Sequence, residues 1–221
     1  MVAELSSRPC VIFDFDGTIA DTKRMICKVA TQVLLEFGFT EEQIGDPTPL
    51  VGPPFPHAFC DIYGVSEDEA IAITARYREI YNVIGPEAWP LFEGIPELLA
   101  NLRRGGKKLA IASSKGHGTL MQAIYDNHLD ESFDVISGKT ADGSDTKEAA
   151  ILRVMAELGR EADECVMVGD RCFDVEAAHA CGIPCIGVLY GASCPRSELE
   201  GAHADAIAET IGELEGLLLG A

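Results

Sequence analysis

Five short apolar runs rich in β-branched residues recur along the chain: CVIF (10–13), KLAIAS (108–113), FDVIS (133–137), CVMVG (165–169) and CIGVL (185–189). Each predicts a short strand buried on both faces. Between the later runs the period becomes that of a helix. GIPELLANLRRGG (94–106) places Ile95, Leu98, Leu99 and Leu102 on one stripe and stops at two glycines. TKEAAILRVMAELG (146–159) does the same with Ile151, Val154, Met155 and Leu158, ending at Gly159. CFDVEAAHACG (172–182) reads as a short Ala-rich helix. IAETIGELEGLLL (207–219) reads as a last helix with Ile207, Ile211, Leu214, Leu217 and Leu218 on one face. Strands alternating with helices predict an α/β fold, a parallel sheet with helices on both sides.

The segment from 20 to 93 breaks this alternation. It opens with an amphipathic helix in which Ile26, Val29, Ala30, Val33, Leu34 and Phe37 share a face. A Pro-rich loop follows, GDPTPLVGPPFP (45–56), then more helical pattern, SEDEAIAITARYREIYNVIG (66–85). With no strand in it, the segment reads as an all-helical insertion returning through PEAWPLFEG (86–94). No internal repeat or low-complexity stretch is present.

At 221 residues, the chain suits one domain or a core with a modest insertion, and 47% hydrophobic residues are enough to bury a core. The net charge of −19 argues against nucleic acid or an anionic membrane as partner. It also requires that an anionic substrate be met by locally placed cations. The opening MVAELSSRPC lacks the apolar core of a signal peptide, and no run reaches the ~18 apolar residues of a membrane span, so the expected setting is the cytoplasm. Eight cysteines without a C-x-x-C pair then read as reduced thiols. His179, Cys181 and Cys185 in AHACGIPC match no zinc spacing, and Cys185 reads as a small buried hydrophobe.

The chemistry concentrates where the strands end. In an open parallel sheet, ligands bind at the carboxyl ends of the strands. Asp14 and Asp16 follow the first run, Ser113 ends the second, Lys147 starts a helix, and Asp170 follows the fourth run. Residues two apart on a strand project to one face, so Asp14 and Asp16 can share a crevice. Two carboxylates that close raise at least one pKa, unless a cation sits between them. Magnesium suits such a site, taking one or two carboxylates and filling its shell with water and phosphate. Asp170 can add a ligand, and Asp174 lies one helical turn further on. The remaining parts fit phosphoryl transfer: a carboxylate as nucleophile, a second as acid and base, and a lysine, a serine and backbone amides around the phosphoryl group. Taken singly, Asp16 before Gly17 is an ordinary turn, Lys147 a solvated helix charge, and Asp170 and Asp174 a turn and a cap. Their order, each at a predicted strand end or helix start, favours a site.

These motifs, DFDGT (14–18), the strand ending in Ser113, Lys147 and GDRCFD (169–174), resemble those of the haloacid dehalogenase superfamily of phosphotransferases over nearly the whole chain. The resemblance implies a Rossmann-like three-layer core (1–20 and 89–221) with the first strand central and a helical cap (21–88) inserted after it. It implies Asp14 as nucleophile, Asp16 as acid and base, and Ser113 and Lys147 as phosphate binders. Gly17, Thr18, Ser114 and Lys115 are expected to contact substrate. The implied cofactor is Mg2+, held by Asp14, the backbone carbonyl of Asp16 and Asp170, with Asp174 joining the metal site by orienting a metal-bound water or Lys147. The reaction implied is hydrolysis of a small phosphorylated metabolite through a phospho-aspartate.

Within the superfamily, VGPPF (51–55), YREIY (77–81), SSKG (113–116), GSDTK (143–147) and GVLYG (187–191) resemble the phosphoglycolate-phosphatase-like group, closest to its 5′-nucleotidase branch. That branch usually has proline where Gly116 stands. Phosphoglycolate and nucleoside 5′-monophosphates are the substrates implied. A dehalogenase or phosphonatase would not need Asp16. A phosphomutase of the β-phosphoglucomutase type uses the same four motifs and stands as the alternative, and a silent binding module would be expected to have lost Asp14, Asp16 or Lys147. Gly52-Pro53-Pro54-Phe55 is the candidate substrate-facing lip, and Arg76, Arg78 and His117 are further candidates for substrate contact.

Overall fold

The computed structural model describes residues 2–140 and 146–220. Six parallel strands form one sheet: β1 (Cys10–Phe13), β2 (Lys108–Gly116), β3 (Val135–Lys139), β4 (Cys165–Gly169), β5 (Cys185–Val188) and β6 (Ala206–Ala208), in the order β3-β2-β1-β4-β5-β6. β1 is central, its Phe13 in register with Ile111 on one side and Val168 on the other. Its four residues are fully buried, as a continuous apolar run requires of a strand covered on both faces.

Alternate residues of β1 feed two cores. Val11 and Phe13 pack with helices α1 (Val2–Ser7), α6 (Ile95–Arg104), α7 (His117–Asp126) and α11 (Ile211–Leu219), while Cys10 and Ile12 pack with α8 (Lys147–Leu158), α9 (Cys172–Ala180) and α10 (Arg196–Gly201). The result is the three-layer α/β fold expected of the core.

Between β1 and α6 the chain forms α2 (Lys23–Glu36), α3 (Glu41–Ile44), α4 (His57–Tyr63) and α5 (Glu67–Tyr81). Ile26, Val29, Ala30, Val33 and Leu34 are the buried face of α2. Phe37 departs from that expectation: the helix ends at Glu36, and Phe37, one residue beyond, is partly exposed. The outgoing and returning chains run side by side, with Asp21 N–H donating to Pro90 O at 2.7 Å and Phe92 N–H to Ile19 O at 3.2 Å.

Two further differences have local causes. The predicted helix over 207–219 begins only at Ile211, capped by the Thr210 hydroxyl, which accepts from Glu213 N–H. Ile207 instead lies in β6, the edge strand, where it pairs with Gly187. The strand through Ser113 continues to Gly116, so α7 begins at His117.

Candidate active site

The carboxyl ends of β1, β2 and β4 bring the candidate residues together. Asp14, one residue past β1, is still held to the sheet by its N–H, which donates to Val168 O at 2.9 Å. Its carboxylate, that of Asp170 after β4, and that of Asp174 in the first turn of α9 lie within 4.8 Å of one another, all buried.

One cation enters this cluster. Lys147, the first residue of α8, has its Nζ 2.8 Å from Asp14 Oδ1 and also pairs with Asp174 Oδ1. Thr146 sets the helix start by accepting from Ala149 N–H. Asp174 Oδ2 accepts from Arg171 N–H at 3.0 Å, so both of its oxygens are engaged. Burial raises the Asp14 pKa to about 6, Lys147 opposing the rise and Asp174 and Asp16 adding to it. Asp170 is pushed well up by burial and by Asp174 and Asp14. Burial alone would lower Lys147, but the two carboxylates hold it above its ordinary value.

The cluster fits a hard divalent cation. It offers only oxygens, carries more negative than positive charge, and leaves the buried Asp170 Oδ2 without a hydrogen-bond partner among the described residues. The backbone makes room for these carboxylates. Gly17 has φ +82°, and a Cβ there would stand 2.1 Å from Asp170 Oδ2. A Cβ on Gly169 would stand 2.3 Å from Asp174 Cβ.

Asp16 lies apart from that cluster. The strand period does not extend to it, because β1 ends at Phe13 and the chain turns, with Ile19 and Ala20 N–H both donating to Phe15 O. Its partner is Lys115, whose Nζ is 2.9 Å from Oδ1 and 3.3 Å from Oδ2. The two aspartates thus share a crevice, each with its own ammonium. Burial alone would lower the Lys115 pKa, but Asp16 and Tyr81 hold it up. Burial pushes the Tyr81 hydroxyl up to about 12 against the pull of Lys115.

A cavity of about 110 Å³ opens beside Asp14 and Asp16. Ser113, Ser114 and Lys115 line its β2 side. The lip residues Gly52, Pro53, Pro54 and Phe55 line the other, with Tyr77, Arg78 and Tyr81 from α5. Arg171, beside Asp170, donates to Val51 O and holds this loop to the core, while its Nε donates to Glu198 Oε1 at 2.8 Å. Lys139 Nζ adds a contact to Phe55 O at 3.4 Å.

Other candidates are placed elsewhere. Thr18 is fully buried and donates to Asp170 Oδ1 at 3.2 Å, so it supports the acidic cluster rather than facing the cavity, and Gly17 stands beside it against Asp170. Arg76 pairs with Glu36 at 2.7 Å on the surface, unlike Arg78. His117 Nδ1 accepts from Gly138 N–H at 3.4 Å. His179 pairs with Asp205, and Cys185 is buried, as a thiol outside any metal site would be. Gly143, Ser144 and Asp145 of the GSDTK match lie outside the described residues. Tyr81 and Arg171 were not among the sequence candidates. Only the Tyr77/Tyr81 spacing, one helical turn apart and quoted within YREIY, signals either of them.

The family model for haloacid dehalogenase-like hydrolases matches residues 11–188, which include DFDGT, Ser113, Lys147 and GDRCFD. The chain belongs to that family. It is 34% identical over 184 residues to a 5'-nucleotidase of Pseudomonas aeruginosa, covering 83% of each chain. It is 37% identical over 182 residues to the tyrosine-protein kinase PtkA of Mycobacterium tuberculosis, covering 82% of this chain and 62% of that one. The crystal structure of a "predicted phosphatase from Clostridium acetobutylicum" superposes with a TM-score of 0.92 at 32% identity, covering 98% of this chain and 100% of the other.

Proposed function

We propose that this haloacid dehalogenase-like hydrolase is a magnesium-dependent phosphatase of a small phosphorylated metabolite, working through a phospho-aspartate on Asp14. The observation that carries the reading is the position of Asp14. Asp14 lines the cavity, Lys147 pairs with its carboxylate, and carboxylate oxygens of Asp170 and Asp174 lie within 4.8 Å of it. A nucleophile held this way faces substrate with its charge partly balanced.

In the first half-reaction an Asp14 oxygen bonds to phosphorus as the bond to the leaving oxygen breaks. Asp16 gives that oxygen its proton, and an alcohol departs. In the second, water attacks phosphorus, Asp16 takes its proton, and the bond between Asp14 and phosphorus breaks to release phosphate. Lys147 and Ser113 supply the charge and the donor around the transferring group. Asp14, Asp170 and the backbone carbonyl of Asp16 are the residues proposed to hold Mg2+, which when bound supplies positive charge to the phosphate oxygens. Asp174, with both oxygens engaged, acts by fixing Lys147.

Helices α2–α5 and their connections, residues 21–88, are proposed to act as a cap that excludes water, with the adjacent 19–21 and 90–92 chains as its hinge. Similarity to the P. aeruginosa 5'-nucleotidase supports nucleoside 5′-monophosphates beside phosphoglycolate as substrates to try first. No helix among the described residues is long and apolar enough to cross a membrane, and a cytoplasmic setting is proposed on the support of eight free thiols. Hydrolysis of p-nitrophenyl phosphate with and without Mg2+ tests the reading. Activity that appears with Mg2+ and vanishes with EDTA is expected. A folded protein inactive under both conditions overturns it.

A further inference from the structure

Lys115 stands in the cavity wall among phosphate-binding candidates, yet its ammonium is not presented to the cavity as an unpartnered charge. Nζ bridges both oxygens of Asp16, at 2.9 and 3.3 Å, and donates to Tyr81 Oη at 3.4 Å. It sits 4.8 Å from the Tyr81 ring centroid and 5.9 Å from those of Phe15 and Trp89. The side chain is 8% exposed and that of Asp16 14%. An ammonium enclosed by one carboxylate, one hydroxyl and three ring faces has a single preferred position.

Tyr81 is fixed in turn. It is the last residue of α5, its hydroxyl donates to Ala88 O at 3.1 Å, and its ring stacks on Tyr77 at 5.1 Å and 17°. Tyr77 meets Phe55 of the lip edge-on at 5.0 Å. A continuous set of contacts therefore runs from the lip through two α5 tyrosines to Lys115 and ends on the Asp16 carboxylate.

We propose that Lys115 is a positioning residue for Asp16, and that Tyr81 makes that positioning depend on where α5 sits. The inference rests on the reading of Asp16 as the acid that protonates the leaving oxygen. By holding the carboxyl group at both oxygens, Lys115 fixes its plane relative to the cavity, and displacement of α5 removes the hydroxyl and ring that hold Lys115. Proton delivery is thereby tied to closure of the helical segment over the substrate. Lys115 itself forms and breaks no covalent bond.

The test compares kcat/KM, which reports steps through phosphoryl transfer to Asp14, for two substrates. p-Nitrophenyl phosphate has a leaving group that departs without a proton, whereas glycerol 3-phosphate needs one. Lys115→Met is expected to lower kcat/KM for the alkyl ester at least about tenfold more than for the aryl ester, within the range general acid catalysis supplies. Lys115→Arg should recover part of that ratio by restoring the charge. Tyr81→Phe should shift it the same way by about threefold, the worth of one hydrogen bond. In an Asp16→Asn background Lys115→Met should change nothing further.

Equal losses on both esters, or additive effects with Asp16→Asn, would assign Lys115 to phosphate binding or to structure and overturn the inference alone. Undiminished alkyl-ester turnover by Asp16→Asn would instead overturn the acid role beneath it. If Lys115→Met does not fold, Tyr81→Phe decides in the same assay, an unchanged ratio counting against the proposal.

Discussion

Lys147 Nζ lies 2.8 Å from Asp14 Oδ1, and both side chains are almost completely enclosed, at 9% and 4% exposed. The pair joins the start of α8 to the end of β1 across the metal-binding candidates. Removing one member of a buried ion pair leaves the other charge uncompensated.

Lys147→Met should therefore abolish turnover and lower stability by about 3–5 kcal/mol in EDTA. Added Mg2+ should recover part of the stability and none of the activity. Urea denaturation with and without the ion checks this. A variant as stable as the parent in EDTA would show that the pair carries little energy.

Gly17→Ala tests the fit around Asp170. The positive φ strains any side chain, and the added carbon would occupy space held by Asp170 Oδ2. Mg2+ at a hundred times its Kd should stabilise the parent by about 2.7 kcal/mol. Gly17→Ala should be less stable and should lose most of that response. Thermal melts across a Mg2+ titration measure both.

Phe55 borders the cavity and packs against Phe59 at 4.6 Å and Tyr77 at 5.0 Å. Phe55→Ala should reorder a panel of phosphorylated metabolites more than it changes the rate on p-nitrophenyl phosphate. Equal effects on kcat/KM across the panel would remove the lip from specificity.

Asp134 gives the fold a dependence on acid that is separate from the site. Burial alone would raise its pKa, but hydrogen bonds from Lys108 Nζ at 2.8 Å and Leu109 N–H at 3.0 Å, with Arg103 nearby, hold it below its ordinary 3.8. A folded-state pKa below the unfolded one contributes stability above the unfolded value and loses it as pH falls through the folded value. Asp134→Asn should therefore be less stable than the parent at neutral pH, with the gap closing below about pH 4. Chemical denaturation at several pH values measures the gap; a gap that widens in acid would contradict the assignment.

The doubly buried strands were legible because a strand covered on both faces must be apolar throughout, as CVIF and CVMVG are. β6 was not, because an edge strand of three residues is too short for a pattern and Ile207 falls four before Ile211, the spacing of a helix. The carboxylates at the strand ends were legible through their order along the chain. Their partners were not. Lys115 and Asp16 are 99 residues apart, and Lys115 and Tyr81 are 34 apart. Only the folded chain reveals that Asp14 and Asp16 answer to different lysines, or that Thr18 faces Asp170.

The proposed phosphatase mechanism requires Asp14 as the nucleophile at phosphorus. Acid quenching during turnover, followed by mass spectrometry of the peptide containing Asp14, tests it directly. A phosphoryl group on Asp14 in the parent, and none in a folded, inactive Asp14→Asn variant, is the predicted result. A phosphoryl group found on another residue instead, or near-normal turnover by Asp14→Asn, would contradict it.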